Sequence, residues 1–272
     1  MKKFQFICLF IIVSNVLCSQ ISVLIPSSPA ISQTSVSDLN YWTCFQNPSA
    51  IGNLEHSEIG IQYESKYLLS QLSSKSFQLG LKNEFVNTGI SFSHFGYSLY
   101  QEMMVGVGFG RNFAEKFSLG VQFDYYTAFF NASNSYRGVF FPQVGLQVRF
   151  TPNLILGFQT FNPFQTNILT EFVTKRLPSV FSLGTDYKFT PDLLWRTQID
   201  KEVSSNYRFA TGFEYNVFSE MNLKLGAYHL DYLVPCLGLG FKTGAFWFDL
   251  NCEIHPFLGL TTQAAIKYRF KK

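Results

Sequence analysis

Strict alternation restricts this chain more than any other feature. From residue 58 onward, apolar side chains take turns with small or polar ones, the period-2 signature of strands with two unlike faces. Phe117, Leu119, Val121, Phe123 and Tyr125 interleave with Ser118, Gly120, Gln122 and Asp124. Phe181, Leu183, Thr185 and Tyr187 interleave with Ser182, Gly184 and Asp186, and Phe209, Thr211, Phe213 and Tyr215 with Ala210, Gly212 and Glu214. No segment carries a convincing helical stripe. The pattern divides into about fourteen strands: 58–67, 75–83, 86–95, 101–112, 117–127, 139–150, 154–161, 179–189, 193–201, 207–217, 222–230, 235–243, 246–254 and 260–270. Most are close to the roughly 9 to 11 residues that cross a bilayer at a tilt. An even count returns both ends of the chain to one side.

Composition narrows the setting. Of 272 residues, 18% are aromatic and only 14% charged, against about 25% charged in an ordinary soluble domain. No internal run reaches the roughly 18 to 20 apolar residues of a spanning helix. Disorder, a helical membrane protein and a typical cytosolic enzyme are therefore excluded. A net charge of +3 is too mild to argue for nucleic acid. The expectation is an all-β protein: a transmembrane antiparallel up-and-down β-barrel of the bacterial outer membrane, with a secreted β-sandwich as the alternative.

The links support the barrel. Alternate links are short, such as Glu84-Phe85, Thr151-Pro152-Asn153, Thr190-Pro191-Asp192 and Thr243-Gly244, and the intervening ones are expected to be longer, such as 128–138 and 162–178. That parity puts tight turns at the periplasmic rim and loops outside. Phe113, Phe117, Phe150, Phe189, Phe218, Phe241 and Phe270 gather at one set of strand ends and Tyr125, Tyr126, Phe140 and Phe141 at the other, which predicts two interfacial girdles.

Residues 1–19 read as a signal peptide: Met1-Lys2-Lys3, an apolar run Phe4–Val13, and small residues before a cut after Cys18 or Ser19. Residues 20–57 are rich in Ser, Pro and Asn and lack alternation. They are expected to form a hatch or plug segment ahead of a barrel spanning 58–272, because fourteen strands enclose more space than wall side chains fill, with a flexible periplasmic tail as the alternative. Cys44, Cys236 and Cys252 remain after the signal, an odd number that argues against a disulfide framework. A turn at Thr243-Gly244 would oppose Cys236 to Asn251 and set Cys236 and Cys252 on opposite faces, so no bond is expected between them.

On this register the inward face carries Glu58, Glu64, Asp124, Asp186, Asp200, Glu214, Asp249 and Glu253, balanced by Lys82, Arg149, Lys188, Arg196, Lys224, Lys242, Lys267 and Arg269. Mixed charge suits ion-pair networks rather than a pore of one sign. Inward glycines at 106, 108, 110, 120, 145, 184, 212, 238 and 240 leave room for a segment to lie against the wall.

A signal peptide, an N-terminal hatch with Asn47-Pro48-Ser49, about fourteen strands and a closing strand with Ile266, Tyr268 and Phe270 together resemble the FadL-type outer-membrane barrels. The closer likeness is to the PorV and PorQ type proteins of type IX secretion in Bacteroidota, although Ser49 stands where that family usually has Ala. The resemblance implies a non-enzymatic role in surface secretion or assembly. It also implies an assembly signal made of Ile266, Tyr268 and Phe270, together with a tyrosine at position 68. Its partners would be outer-membrane lipid, the barrel-assembly machinery and secreted or secretion-system proteins. Passive transport of small hydrophobic molecules and a plugged structural barrel are the alternatives.

Catalytic and metal chemistry finds little material. His56, His94, His229 and His255 show no metal-ligand spacing, no CxxC occurs, and no cofactor is implied. Ser93-His94 and His229-Leu230-Asp231 are the only groups from which a lipid-modifying site could be assembled.

Overall fold

The computed structural model describes residues 31–39, 42–131, 135–169 and 174–270. The expected signal peptide lies outside the described residues. The strands are β1 (Glu58–Ser65), β2 (Ser73–Leu81), β3 (Asn87–Tyr97), β4 (Tyr100–Phe113), β5 (Phe117–Phe130), β6 (Ser135–Thr151), β7 (Leu154–Phe161), β8 (Asn167–Leu169), β9 (Thr174–Arg176), β10 (Val180–Lys188), β11 (Leu193–Glu202), β12 (Tyr207–Phe218), β13 (Met221–His229), β14 (Leu233–Thr243), β15 (Phe246–His255) and β16 (Gly259–Arg269). Fourteen of them close into one antiparallel barrel, β1 to β7 and β10 to β16 in chain order, with β16 returning to pair with β1. Closure leaves no edge and no second layer, so the sandwich alternative falls.

Alternation sorts the two faces. Val105, Val107, Phe109, Leu119, Val121 and Phe123 are exposed on the outside, while Gly106, Gln122 and Asp124 between them are buried. Apolar residues outside and polar ones inside invert a soluble protein, as a lipid-facing wall requires. Aromatic pairs mark both ends. Phe113 stacks on Phe117 at 4.9 Å and Phe246 packs on Tyr268 at 4.9 Å near the short turns. Tyr125 meets Phe140 at 4.5 Å and Phe129 meets Tyr136 at 4.7 Å toward the other rim, whereas Tyr126 and Phe141, expected in that girdle, turn inward and are buried.

Four expectations need correction. The link 128–138 is much shorter than expected, because β5 and β6 run on as a paired hairpin from Phe117↔Val148 to Phe130↔Ser135. The link 162–178 is not a plain loop: it contains the β8–β9 hairpin, too short for periodicity to register. The β14–β15 turn is Gly244-Ala245, so Thr243 pairs with Phe246 and Cys236 with Glu253 rather than Asn251. Gly244 takes a φ of 56°, open to glycine without steric cost. A slip of two residues keeps every side chain on its expected face. Cys236 is buried inside, Cys252 shares the face of Leu250 and Ile254, and both are free thiols. Finally, position 68 drops out of the assembly signal. The residue there is Leu68, not a tyrosine. It ends the 3-10 turn Lys66–Leu68 that leads out of β1, with an exposed side chain and no place on the closing strand β16.

The core sits in the lumen. Trp42, Phe45, Ile31, Ile51 and Val36, all from the segment ahead of β1, are among the largest fully buried side chains.

Candidate functional site: the filled lumen

Asn47 organises the segment inside the barrel. It caps the 3-10 helix Pro48–Asn53: its Oδ1 accepts from the Ser49 amide (3.1 Å) and hydroxyl (2.8 Å), with Pro48 preset for the first helical position. The same side chain turns its Nδ2 outward and donates to the Val36 carbonyl at 2.7 Å and to wall carbonyls of Phe158 (3.1 Å) and Leu146 (3.4 Å). One residue thus ends a turn, folds the segment on itself and pins it to β6 and β7. Pro48 and Ser49 are buried beside it.

The wall is shaped to receive this backbone. Gly110, Gly120 and Gly145 form a row across β4, β5 and β6. A Cβ at Gly120 would overlap the Pro48 carbonyl, and one at Gly145 the Asn47 amide. Reciprocally, a Cβ on Gly52 would lie 2.7 Å from the Arg111 backbone. Gly108 meets Ile51, Gly184 meets Val36, and Gly212 meets Ile31. Gly106, Gly238 and Gly240 depart from the expectation: they front wall side chains, namely Asp124 and Ser91, Asn251, and Asn222.

Neutral amides satisfy several of the segment's backbone groups. Gln147 donates to the carbonyls of Val36 (3.0 Å) and Asp38 (2.9 Å), and Asn87 to that of Ile51 (2.9 Å). Gln198 accepts from the Ser35 and Val36 amides at 2.8 and 3.1 Å, and Gln78 from Cys44 at 3.3 Å. A charge-centred reading misses these residues, although Gln at inward phase in strand after strand is visible in the sequence. Charged seats are fewer. Arg196 holds Asp186 with two bonds of 2.8 Å and reaches Asp38 of the segment at 3.3 Å, and Ser37 also donates to Asp186. Arg208 bonds Asp200 and the Ser32 carbonyl, each at 2.6 Å, and Gln33 donates to Glu253 at 2.7 Å.

The remaining expected lumen charges divide by height. Glu58 pairs with Lys267 (3.3 Å) and Arg269 (3.6 Å), Lys224 with Asp249 (2.6 Å), and Glu64 with Lys66 (3.9 Å). Glu214 accepts from Asn222, and Asp124 from Gln122 and Gln143. Lys82, Arg149, Lys188 and Lys242 overturn the balanced lumen. They keep the inward phase but lie at or beyond strand ends on the short-turn rim, exposed to solvent. There their long stems reach water at no desolvation cost. Every expected inward acid, by contrast, is buried or half-buried. Glu102 (buried) and Arg208 are interior charges that alternation did not single out.

The interior has two contrasting regions. Toward the loop side, Met104, Tyr126, Ala128, Phe141, Phe161 and Val180 point inward and pack with Ile168 and Leu177 from the folded-in link that carries β8 and β9. Toward the short turns a cavity of about 470 Å³ opens between Lys188, Glu214, Asn222, Lys242, Trp247 and Asp249. Lys242, Lys267 and Arg269 all stand over the Trp247 ring, at 5.4, 5.1 and 4.6 Å. Between the regions lies the segment with Cys44, whose thiol is pushed up to about 12, first by burial and then by the Glu58 carboxylate. Ser93 faces inward while its neighbour His94 lies on the other face of β3, so the two do not form a catalytic pair. His229 is exposed on the outer face.

No protein-family profile matches the chain, and no curated protein matches it. Several solved structures share its fold. The CymD monoaromatic hydrocarbon channel superposes with a TM-score of 0.67 at 9% identity, over 93% of this chain and 99% of that one. The Pseudomonas putida toluene transporter TodX gives 0.64 at 9% identity, over 88% and 95%. A Pseudomonas aeruginosa FadL homologue gives 0.61 at 12%, over 84% and 94%. At these identities the likeness is one of fold. Closure into a barrel and an apolar outer belt locate this chain in the outer membrane.

Proposed function

We propose that this barrel lets small, predominantly apolar molecules through the outer membrane. The observation that carries this reading is the inward-facing cluster of Met104, Tyr126, Phe141, Phe161, Ile168, Leu177 and Val180. A water-filled pore places polar groups there, whereas an apolar lining suits apolar cargo. The hydrocarbon-channel folds it matches support the same reading. The secretion-accessory alternative rests on resemblance. The link that carries β8 and β9 turns Ile168 and Leu177 into the lumen instead of offering them to a partner, which favours passage. Assembly would rest on the outward residues Ile266, Tyr268 and Phe270, engaged by the barrel-assembly machinery; deletion of Phe270 should then lower the amount of heat-modifiable barrel.

Passage is tested by uptake of a fluorescent aryl-naphthylamine into intact cells whose outer leaflet is lipopolysaccharide. Expression of the barrel should speed uptake, Phe161→Lys should abolish the gain, and planar bilayers should stay electrically silent. Uptake equal with and without the barrel would overturn the proposal.

A further inference from the structure

The cavity of about 470 Å³ at the short-turn mouth is an open space inside the wall, and its volume falls in the range of about 300–1,000 Å³ usual for small-molecule sites. Among the described residues, none of the lumen segment lines it. Asp249 and Gly240, register partners and both buried, mark its inner end. Its lining carries both signs of charge at separate places. On β12, Glu214 is half-buried and Asn216 exposed. Asn222 donates to Glu214 and so orients its carboxylate. Lys224, the register partner of Glu214, turns its ammonium to Asp249 at 2.6 Å instead. Among the described residues, no Lys or Arg lies within ion-pair distance of Glu214. On β14 and β15 the sign reverses. Three cations stand over Trp247; Lys267 and Arg269 share the Glu58 carboxylate at 3.3 and 3.6 Å, whereas among the described residues no acid is within ion-pair distance of Lys242. Lys188 on β10 and Asp192 on the turn after it complete the far side with one charge of each sign. Strands β12 and β14 are separated by β13 alone, which puts the Glu214 and Lys242 backbones roughly 10 Å apart.

We propose that this mouth binds a small zwitterion: its ammonium at Glu214, with the Asn216 carbonyl beside it, and its carboxylate at Lys242. The separation of the two poles suits ω-amino acids and short peptides. Glu214, Asn216 and Lys242 all face the lumen of a closed wall, so the ligand arrives from the water at the short-turn side and not from the lipid. The site is remote from the Met104–Phe161 cluster and does not depend on apolar passage.

Calorimetry on the purified barrel in nanodiscs with 5-aminopentanoate, pentanoate and pentylamine tests it, since each control lacks one pole. 5-Aminopentanoate should bind at least about tenfold more tightly than either control. Glu214→Gln, which keeps an acceptor for Asn222, should reduce its affinity to that of pentanoate. Lys242→Met, which keeps the stem over Trp247, should reduce it to that of pentylamine. Lys82→Met, at the same rim but outside the cavity, should leave it unchanged, and heat-modifiable migration checks that each variant is folded. Equal affinities for the three probes, no binding of any, selectivity untouched by Glu214→Gln and Lys242→Met, or an equal loss in Lys82→Met would each overturn the site. Uptake of the naphthylamine is read separately, so any of these results leaves apolar passage standing.

Discussion

Replacing Asn47 by Ala should free the lumen segment and leave the barrel closed. The side chain is fully buried and makes contacts on both sides of the interface. Val36 keeps a donor, because Gln147 also bonds its carbonyl at 3.0 Å. The Ser49 amide and hydroxyl keep none of their bonds to Asn47 Oδ1. Loss of a helix cap costs about 0.5–2 kcal/mol, and an orphaned buried donor about 1–3 kcal/mol. These terms overlap, so seating should weaken by about 2–4 kcal/mol, a rise of about thirty-fold to several hundred-fold in the unseated population. Cys44 reports it. The thiol is buried, and a Cβ at Gly89 would touch its sulfur at 2.8 Å. Its high pKa also keeps it out of the reactive thiolate form. In a chain with serine at the other cysteines, a water-soluble maleimide at mildly alkaline pH should label Cys44 at least about thirty times faster in the variant. Heat-modifiable migration should be retained. Unchanged labelling would refute the seat assigned to Asn47; loss of the barrel itself would assign the residue to the wall instead. The pH dependence has a definite sign. The thiol ionises near 9.0 when released and near 12 when seated. Above pH 9 the released state therefore binds fewer protons, and seating weakens by about 1.4 kcal/mol per unit until the seated thiol also ionises. Below pH 9 this group contributes no change.

Two other substitutions probe the same interface. Gly120→Val places a branched Cβ into the Pro48 carbonyl, an overlap that no rotamer relieves. At about 1–3 kcal/mol for overpacking, it should raise Cys44 labelling, and parent-like labelling would show that the wall glycines are not needed for close approach. Arg196→Met strands Asp186 and Asp38 without their shared partner. It should lower stability to urea in detergent by about 3–5 kcal/mol, with much of the loss recovered by adding Asp186→Asn and Asp38→Asn; a triple variant no better than the single would exclude the charge explanation.

Barrel architecture was legible because a two-faced strand writes its environment into every second residue. Fourteen strands and the lipid-facing set from Ile61 to Ile266 follow from that period, and the alternating link lengths add the up-and-down order. The glycine row Gly110, Gly120, Gly145 was also readable as a surface prepared for close contact. Phase, however, carries no height. Lys188 and Asp186 share a face, yet one is exposed at the rim and the other is buried against Arg196. Alternation therefore overstated the interior positive charge. The β8–β9 hairpin escaped because three-residue strands are shorter than the pattern that identifies a strand. The inward apolar cluster escaped for a related reason. Met104, Tyr126 and Phe141 are apolar at inward phase, where they blur the alternation instead of standing out from it.

The mixture of neutral and charged seats follows from the physics of filling a wide barrel with irregular chain. Residues 31–39 and 42–54 form no strand ladder with the wall, so each buried N–H and C=O needs a partner supplied singly. A glutamine or asparagine offers both donor and acceptor with far less desolvation than an ion. One Gln198 oxygen serves two consecutive amides, and one Gln147 nitrogen two carbonyls. Ion pairs add direction where a single strong tether suffices, as at Arg196 between Asp186 and Asp38. Charge balance along the wall is thus a poor guide to function. What distinguishes this interior is the contrast between an apolar cluster on one sector of the loop side, beside the buried Glu102, and a polar cavity toward the short turns.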